Sequence, residues 1–419
     1  MKRRTLLAAM GASVLMPVQA KDMPNQAVET GWQNWSRSIA PQKAEIAVPQ
    51  DVAALKKLLG ETAGGVRPVG SGHSWTGLVP CDGAIVRLDR FNGVGAVDTQ
   101  AQTAWLGAGA RLKDLSPALA EHGLAFRNLG DIDVQSLAGA TSTATHGTGR
   151  ELPCLAAEIR GLRMVTGAGE EVEISAAQNA DMLPAAQVAL GALGIYTEIQ
   201  MQLVARHKLH RRVWFAPYDQ LLSDAAQLWR DNRNFEFFYL PFSGQAMCIT
   251  HNITEAEATQ RASDESDDGV MQLKALRDWL GWFPYLRKKL LSAAIADAPE
   301  EDVVGESWQL LSSARNVHFN EMEFHLPPDR ALEALEAVRA YIERHRRDVF
   351  FPFECRMTAE DTAWLSPFNA GPRISIAVHT HAPTDTHTHS HTGTHTHTYA
   401  GICTHGDPHT GAHPHTQPR

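Results

Sequence analysis

The chain has 419 residues, 43% of them hydrophobic, and a formal net charge of -9 at pH 7. That length exceeds one ordinary domain and supplies ample material for buried cores, so two domains are expected. A mildly acidic chain lacks the basic face that nucleic acid demands, which leaves small molecules as the expected partners.

The first twenty residues read as an address. Lys2-Arg3-Arg4 precede an uncharged, largely apolar run from Leu6 to Val18, and Val18-Gln19-Ala20 offers a small-residue cleavage site. This is the plan of a secretory signal, too short to span a bilayer as a helix. The adjacent arginines suggest the twin-arginine route, which exports folded, cofactor-loaded proteins; an ordinary Sec signal is the alternative. Either predicts a periplasmic or otherwise exported protein, and no later segment is apolar enough to span a membrane. Five cysteines, Cys81, Cys154, Cys248, Cys355 and Cys403, are scattered and odd in number. They form neither a disulfide framework nor a CxxC metal pair.

From Gly31 the pattern is α+β. Ile46 to Val48 predicts a strand, and Asp51 caps a helix whose apolar positions Val52, Leu55, Leu58 and Leu59 share one face. Gly64-Gly65 ends that helix and leads into Val66 to Gly77, VRPVGSGHSWTG. Glycines on both sides of Ser71 leave backbone N–H groups free to converge on a phosphate, although a plain turn with an incidental histidine fits these residues equally well. Ile85–Leu88, Val94–Val97 and Thr103–Leu106 predict strands, with a turn at Asn92-Gly93, and Leu112, Leu115 and Leu119 mark a helix ending near His122-Gly123. No GxGxxG follows a first strand, so a nicotinamide-type Rossmann domain is not expected.

Asn128 to Gly149, NLGDIDVQSLAGATSTATHGTG, is a long run of Gly, Ala, Ser and Thr with almost no charge. Such a composition suits backbone and small hydroxyls packing against a large flat ligand. Ile159–Thr166 and Glu171–Ile174 predict a hairpin, and Gln187–Val204 turns at Gly194 into an alternating strand. Beyond the basic junction Arg206–Arg212 aromatic residues become dense, which marks a second domain. Glu255–Asp268 reads as a solvated, acidic stretch. Trp279–Tyr285 followed by Arg287-Lys288-Lys289 reads as a core helix under a basic cap in preference to a membrane-surface patch. A strand is expected through Val317–Leu326, and Leu332, Leu335, Val338 and Ile342 define one side of a following helix. In FFPFECRM, Glu354 and Arg356 stand two apart on one sheet face with Cys355 on the other. Such a pair is either a structural ion pair or a polar hand for a hydroxylated substrate, and the residues alone favour the former.

Taken together, the two small-residue stretches and the Glu-x-Arg strand resemble the vanillyl-alcohol oxidase type of flavoprotein, closest to the L-gulonolactone, D-arabinono-1,4-lactone and alditol oxidases. The resemblance runs from about Trp32 to about His379 and implies a two-part FAD-binding domain followed by an α+β substrate-covering domain. It implies covalent attachment of FAD to His73, with Gly70, Ser71, Gly72 and Ser74 around the pyrophosphate. Gly139, Thr141, Ser142, Thr145, His146 and Gly147 would line the cofactor, and Gly194 and Ile195 would pass its adenine end. Ser136 would lie near the reacting end of the substrate, while Glu354 and Arg356 would hold it. The implied reaction is oxidation of a CH–OH group of a sugar lactone or polyol, hydride passing to flavin N5, with oxygen or another carrier as final acceptor. Relatives often carry glycine where this chain has Ala144. The domain division expected is 1–20 signal, 21–210 FAD-binding, 211–379 substrate domain and 380–419 tail.

The tail departs from that family. Relatives continue with a His-Trp-Gly-Lys stretch whose lysine reaches the active site, whereas this chain turns into THAPTDTHTHSHTGTHTHTYAGICTHGDPHTGAHPHTQPR from Thr380. More than half of its 20 histidines lie from His379 onward and no apolar periodicity survives, so disorder is expected. A shifted reading frame is the favoured explanation. A Zn- or Ni-binding tail, and a flavoprotein that has lost turnover, are the others.

Overall fold

The computed structural model describes residues 31–39, 44–259, 268–296, 298, 300–313 and 317–381. The leader, the stretch 260–267 and the tail from residue 382 lie outside the described residues. No described helix is long and apolar enough to cross a membrane.

Two small sheets and a two-stranded pair build the first half. Strands β1 (Glu45–Ala47), β2 (Val66–Val69) and β3 (Ala84–Arg87) form a parallel sheet in the order β1-β3-β2. The helix Val52–Glu61 makes the crossover between β1 and β2; Asp51 caps it by accepting from the Ala54 amide at 2.8 Å, and its apolar side is anchored by the buried Leu55. Next come β4 (Val94–Asp98), β5 (Thr103–Gly107), β6 (Leu124–Ala125), β7 (Ile159–Val165), β8 (Glu171–Ser175), β9 (Ile195–Gln202) and β10 (Val204–Ala205). The short β6 and β10 pair with each other, and the others form an antiparallel sheet in the order β4-β5-β9-β7-β8. The turn at Asn92-Gly93 therefore carries the chain from one sheet to the next. One shared core, including Leu55, Leu106, Leu112, Leu137 and Ile199, joins both sheets to their helices.

Seven antiparallel strands build the second half: β11 (Lys208–Pro217), β12 (Asn234–Leu240), β13 (Gln245–Thr254), β14 (Glu301–Glu306), β15 (Phe319–Leu326), β16 (Phe353–Thr358) and β17 (Arg373–His381), in the order β14-β11-β13-β12-β16-β17-β15. Thr380 and His381 pair with Asn320 and Phe319, so the first two residues of the expected tail are sheet residues. One face of this sheet is hydrocarbon. Phe235, Phe237, Tyr239, Phe353, Cys355, Ile374, Ile376 and Val378 pack there under the helices Tyr218–Asp231 and Pro328–His345. The strict two-residue period of strands then puts Glu354 and Arg356, and Glu321, Glu323 and His325, on the opposite face.

The segment Trp279–Tyr285 is not a core helix under a basic cap. It spans the end of the helix Asp268–Leu280, the turn at 281–283 and the start of the helix Pro284–Ala296, and Trp279, Trp282, Phe283 and Tyr285 are 74%, 84%, 64% and 72% exposed. The polarity is inverted because Arg287 goes inward: its guanidinium lies 4.3 Å from the Phe242 ring and donates to the Arg347 and Val349 carbonyls at 3.2 and 3.1 Å. Carbonyl partners let that cation be buried, while the aromatics have no apolar wall to meet.

Candidate functional site

Arg356, 5% exposed, is the hub of the polar face. Its Nη2 donates to Glu323 Oε1 at 2.8 Å and its Nη1 to the His146 carbonyl at 3.4 Å, with Asp131 Oδ1 3.6 Å from Nη1. The second oxygen of Glu323 meets His146 Nε2 at 3.1 Å, and the opposite ring nitrogen lies 2.9 Å from the Gly147 carbonyl and 3.1 Å from Thr358 Oγ1. His325, two residues beyond Glu323, holds Ser375 Oγ at 2.7 Å. Side chains from β15, β16 and β17 thus converge with His146 of the small-residue stretch.

The same stretch is fastened by its backbone to the end of β16. Gly149 N donates to the Met357 carbonyl at 2.6 Å, and Gly149 and Thr358 form a parallel bridge. Asn234 donates to the Thr148 carbonyl, and Met357 N reaches Thr148 Oγ1 at 3.3 Å. The cofactor-type stretch and the Glu354-x-Arg356 strand are therefore one unit.

Electrostatics divide the two glutamates. Burial alone would raise the Glu323 carboxyl, but His146 and Arg356 outweigh it and hold the group well below the usual carboxylate range. Glu354 goes the other way. Burial raises it well above that range; Arg356 pulls it down, and Asp131, Glu236 and Glu321 push it up. It is 2% exposed, and Oε1 lies 3.3 Å from Arg356 Nε without hydrogen-bond alignment. Arg356 is thus shared between Glu323, which it helps hold low, and Glu354, which burial holds high, so a proton is kept more readily on Glu354 than on Glu323. His379, beside Glu321 at 3.6 Å, is pushed down to about 4 by burial and is neutral.

The glycine-serine loop lies against the start of β15, where Trp75 Nε1 donates to the Phe319 carbonyl at 2.9 Å. The His73 ring stacks on Trp35 with centroids 4.3 Å apart at 24°, and both ring nitrogens are buried without a hydrogen-bond partner among the described residues. Burial pushes its pKa down to about 4, so the ring is neutral. Gly72 takes φ +73, and a Cβ there would meet the Asn34–Trp35 backbone at 3.2–3.3 Å. Gly70 and Gly139 flank the Ser136 hydroxyl, which would lie 2.3 Å and 2.9 Å from Cβ atoms added to them.

Other expected residues are placed as follows. Ser136 caps the helix Leu137–Ser142 by accepting from Gly139 N at 3.2 Å, beside the glycine-serine loop and not against Glu354 or Arg356. Ser71 Oγ is engaged by Arg111 and the Val134 carbonyl, Ser74 offers its carbonyl to Asn34 at 3.0 Å, and Thr141 Oγ1 donates within its own helix to the Leu137 carbonyl. The Ser142 carbonyl accepts from Leu190 N at 3.2 Å, and Thr145 Oγ1 accepts from Gln135 at 3.2 Å. Gly194 at φ +154 lets the chain pass the Val165 carbonyl as Ile195 opens β9. Much of this small-residue chemistry holds chain against chain.

Sequence reasoning missed Glu323, His325, Asp131, His379 and Trp35. A signal was present in Glu321-x-Glu323-x-His325, a two-residue period that the interleaved Met322 and Phe324 had obscured.

A family model of D-arabinono-1,4-lactone oxidases matches residues 199–416, and one of FAD-binding domains matches residues 44–175. The chain belongs to the D-arabinono-1,4-lactone oxidase family. It is 32% identical over 362 residues to the L-gulono-1,4-lactone dehydrogenase of Mycobacterium tuberculosis, covering 84% of this chain and 83% of that one. It is 26% identical over 346 residues to the L-gulonolactone oxidase of Mus musculus, covering 80% and 78%. Cholesterol oxidase from Brevibacterium sterolicum shares the fold, with a TM-score of 0.68 at 16% identity over 87% of this chain and 82% of that one. This family member is thus an FAD-dependent oxidoreductase with a two-part FAD-binding domain. The matched interval of the family model continues past His379, where the sequence composition changes.

Proposed function

We propose that the protein oxidises a CH–OH carbon of a sugar lactone or related polyol, with FAD tethered to His73. The observation that carries this reading is the joint placement of the buried Glu354 and the cationic Arg356 on one face, fastened to the His146–Gly149 stretch. Bound FAD supplies the acceptor for the hydride that leaves the substrate carbon, and the hydroxyl proton leaves to a base or to water. Glu354 orients substrate hydroxyls through hydrogen bonds. Arg356 places a fixed positive charge where the hydroxyl oxygen becomes negative, and Glu323 with His146 keeps the guanidinium from turning away. A tethered cofactor also suits the export predicted from the leader, since a cofactor lost outside the cytoplasm is not replaced.

The test is to precipitate the purified protein with acid and ask whether yellow flavin fluorescence stays with the chain. Retention in the wild type and its loss in His73→Ala supports the tether; flavin free in the wild-type supernatant refutes it. Screening lactones and polyols under air, with and without an artificial acceptor, then separates an oxidase, which yields peroxide, from a dehydrogenase, which does not. The reading of the tail as a frameshift is tested by translating the neighbouring frames, and absence of His-Trp-Gly-Lys there refutes it. If the tail is what the cell makes, turnover is weak, and full rates in the protein as written would count against that.

A further inference from the structure

The two helices Asp268–Leu280 and Pro284–Ala296 carry a surface that the oxidation chemistry does not use. We propose that this surface docks the protein onto an anionic membrane, the aromatic turn entering the headgroup layer.

The helix Pro284–Ala296 has two apolar faces. Leu291 and Ile295 are buried against Leu240, with Phe215 and Met247 alongside. Tyr285, Leu286 and Leu290 are 72%, 45% and 40% exposed, continuous with Trp279, Trp282 and Phe283 at and just before the turn. A globular surface helix shows one apolar stripe; a second, aromatic one marks a contact that the described residues do not supply. The composition decides the partner. Trp and Tyr beside Lys is the pattern of the bilayer interface, where amphipathic rings sit at headgroup depth and ammonium groups meet lipid phosphates. Lys288 and Lys289 are exposed, and Lys289 Nζ lies 4.8 Å from the Tyr285 ring. From Pro284 to Ala296 there is no acidic residue at all, in a chain whose net charge is -9. In the preceding helix Asp278 is taken up by Lys274 at 3.1 Å and Arg277 at 2.6 Å. Positive charge thus gathers at the aromatic turn against the balance of the whole molecule, as attraction to anionic headgroups requires.

The proposal is tested by cosedimentation of the full-length holoprotein with vesicles of phosphatidylcholine, with and without phosphatidylglycerol. Binding is expected to the anionic vesicles, to fall as salt is raised, and to weaken at least about tenfold in Trp282→Ser/Phe283→Ser and in Lys288→Glu/Lys289→Glu. Lys289 lies beside Tyr285 at the surface while the end of Lys288 reaches Gly244, so Lys289→Glu alone reads the surface even if a double variant folds poorly; flavin content and melting temperature check all of them. Failure of the wild type to bind anionic vesicles would overturn the proposal, as would binding that neither double variant changes. A lipid-free dimer that Trp282→Ser/Phe283→Ser dissociates would also overturn it, because the patch would then be a contact between two copies.

Discussion

The two faces of the seven-stranded sheet share a backbone but differ in what sets their energy. On one, Phe353 and Cys355 lie in hydrocarbon, and stability follows from area and shape. On the other, one residue along in each case, Glu354 and Arg356 sit in a network where a single cation serves Glu323, Glu354 and Asp131. The apolar face is tolerant of losing a partner and intolerant of losing volume. The polar face has the reverse character.

Removing the cation should give the largest effect. Arg356→Met leaves Glu323 and Glu354 without their shared partner, and a loss of about 3–5 kcal/mol in stability is expected, the cost of breaking a buried pair from one side. Turnover should fall at least about a hundredfold, as for loss of a preorganised electrostatic group; a melting curve and steady-state rates check both, and a variant of normal stability would dissolve the contrast between the faces. Phe353→Ala, on the other face, should cost about 3–4 kcal/mol through the cavity it leaves. The surviving folded fraction should nevertheless turn over at a near-normal rate per bound flavin, and a rate loss matching that of Arg356→Met would show that the faces are not separable.

Acid should act on the buried histidines, with Glu354 opposing them, since a carboxyl raised by burial is relieved as pH falls. His73, His325 and His379 are each pushed down to about 4 by burial, from an ordinary value near 6.5. Their folded values lie below their unfolded ones, so the stability they contribute is complete above pH 6.5 and lost as pH falls toward 4. At pH 5 the loss is up to about 2 kcal/mol for each histidine. Glu323, held low by His146 and Arg356, adds a further loss below its ordinary carboxyl range. Melting temperatures at pH 7.5, 6 and 5 measure the slope; it should flatten in His379→Asn, and a melting temperature that stays level would be inconsistent with neutral buried imidazoles.

The smallest effect is expected at Ala144, which is buried and takes φ +54, a left-handed conformation that costs a non-glycine residue roughly 1 kcal/mol or more. Ala144→Gly relieves that strain and loosens the unfolded chain, so the net gain should be under about 1 kcal/mol. Denaturant unfolding reads it, and a clear loss of stability would mean that the Ala144 methyl packs usefully.

What could be read from the sequence followed local rules. The Asp51 cap, the turn at Gly194 into β9 and the shared face of Glu354 and Arg356 need only spacing and residue type. What could not be read depended on distant partners. His146 is 177 residues from Glu323, and nothing local says that the two meet. The aromatic turn failed for a related reason, since whether Trp282 is inside or outside depends on Arg287 finding the Arg347 and Val349 carbonyls.

The bridge between Gly149 and Thr358 has a bearing on how substrate gets in. Gly149 N to the Met357 carbonyl, Met357 N to Thr148 Oγ1 and Asn234 to the Thr148 carbonyl stitch the two halves along one line. A clamshell opening would have to tear that seam at every turnover. The halves should therefore behave as one cooperative unit, with the amides of Gly149 and Met357 exchanging their protons for deuterium only as slowly as the whole molecule unfolds, and traffic to the site passing around the seam.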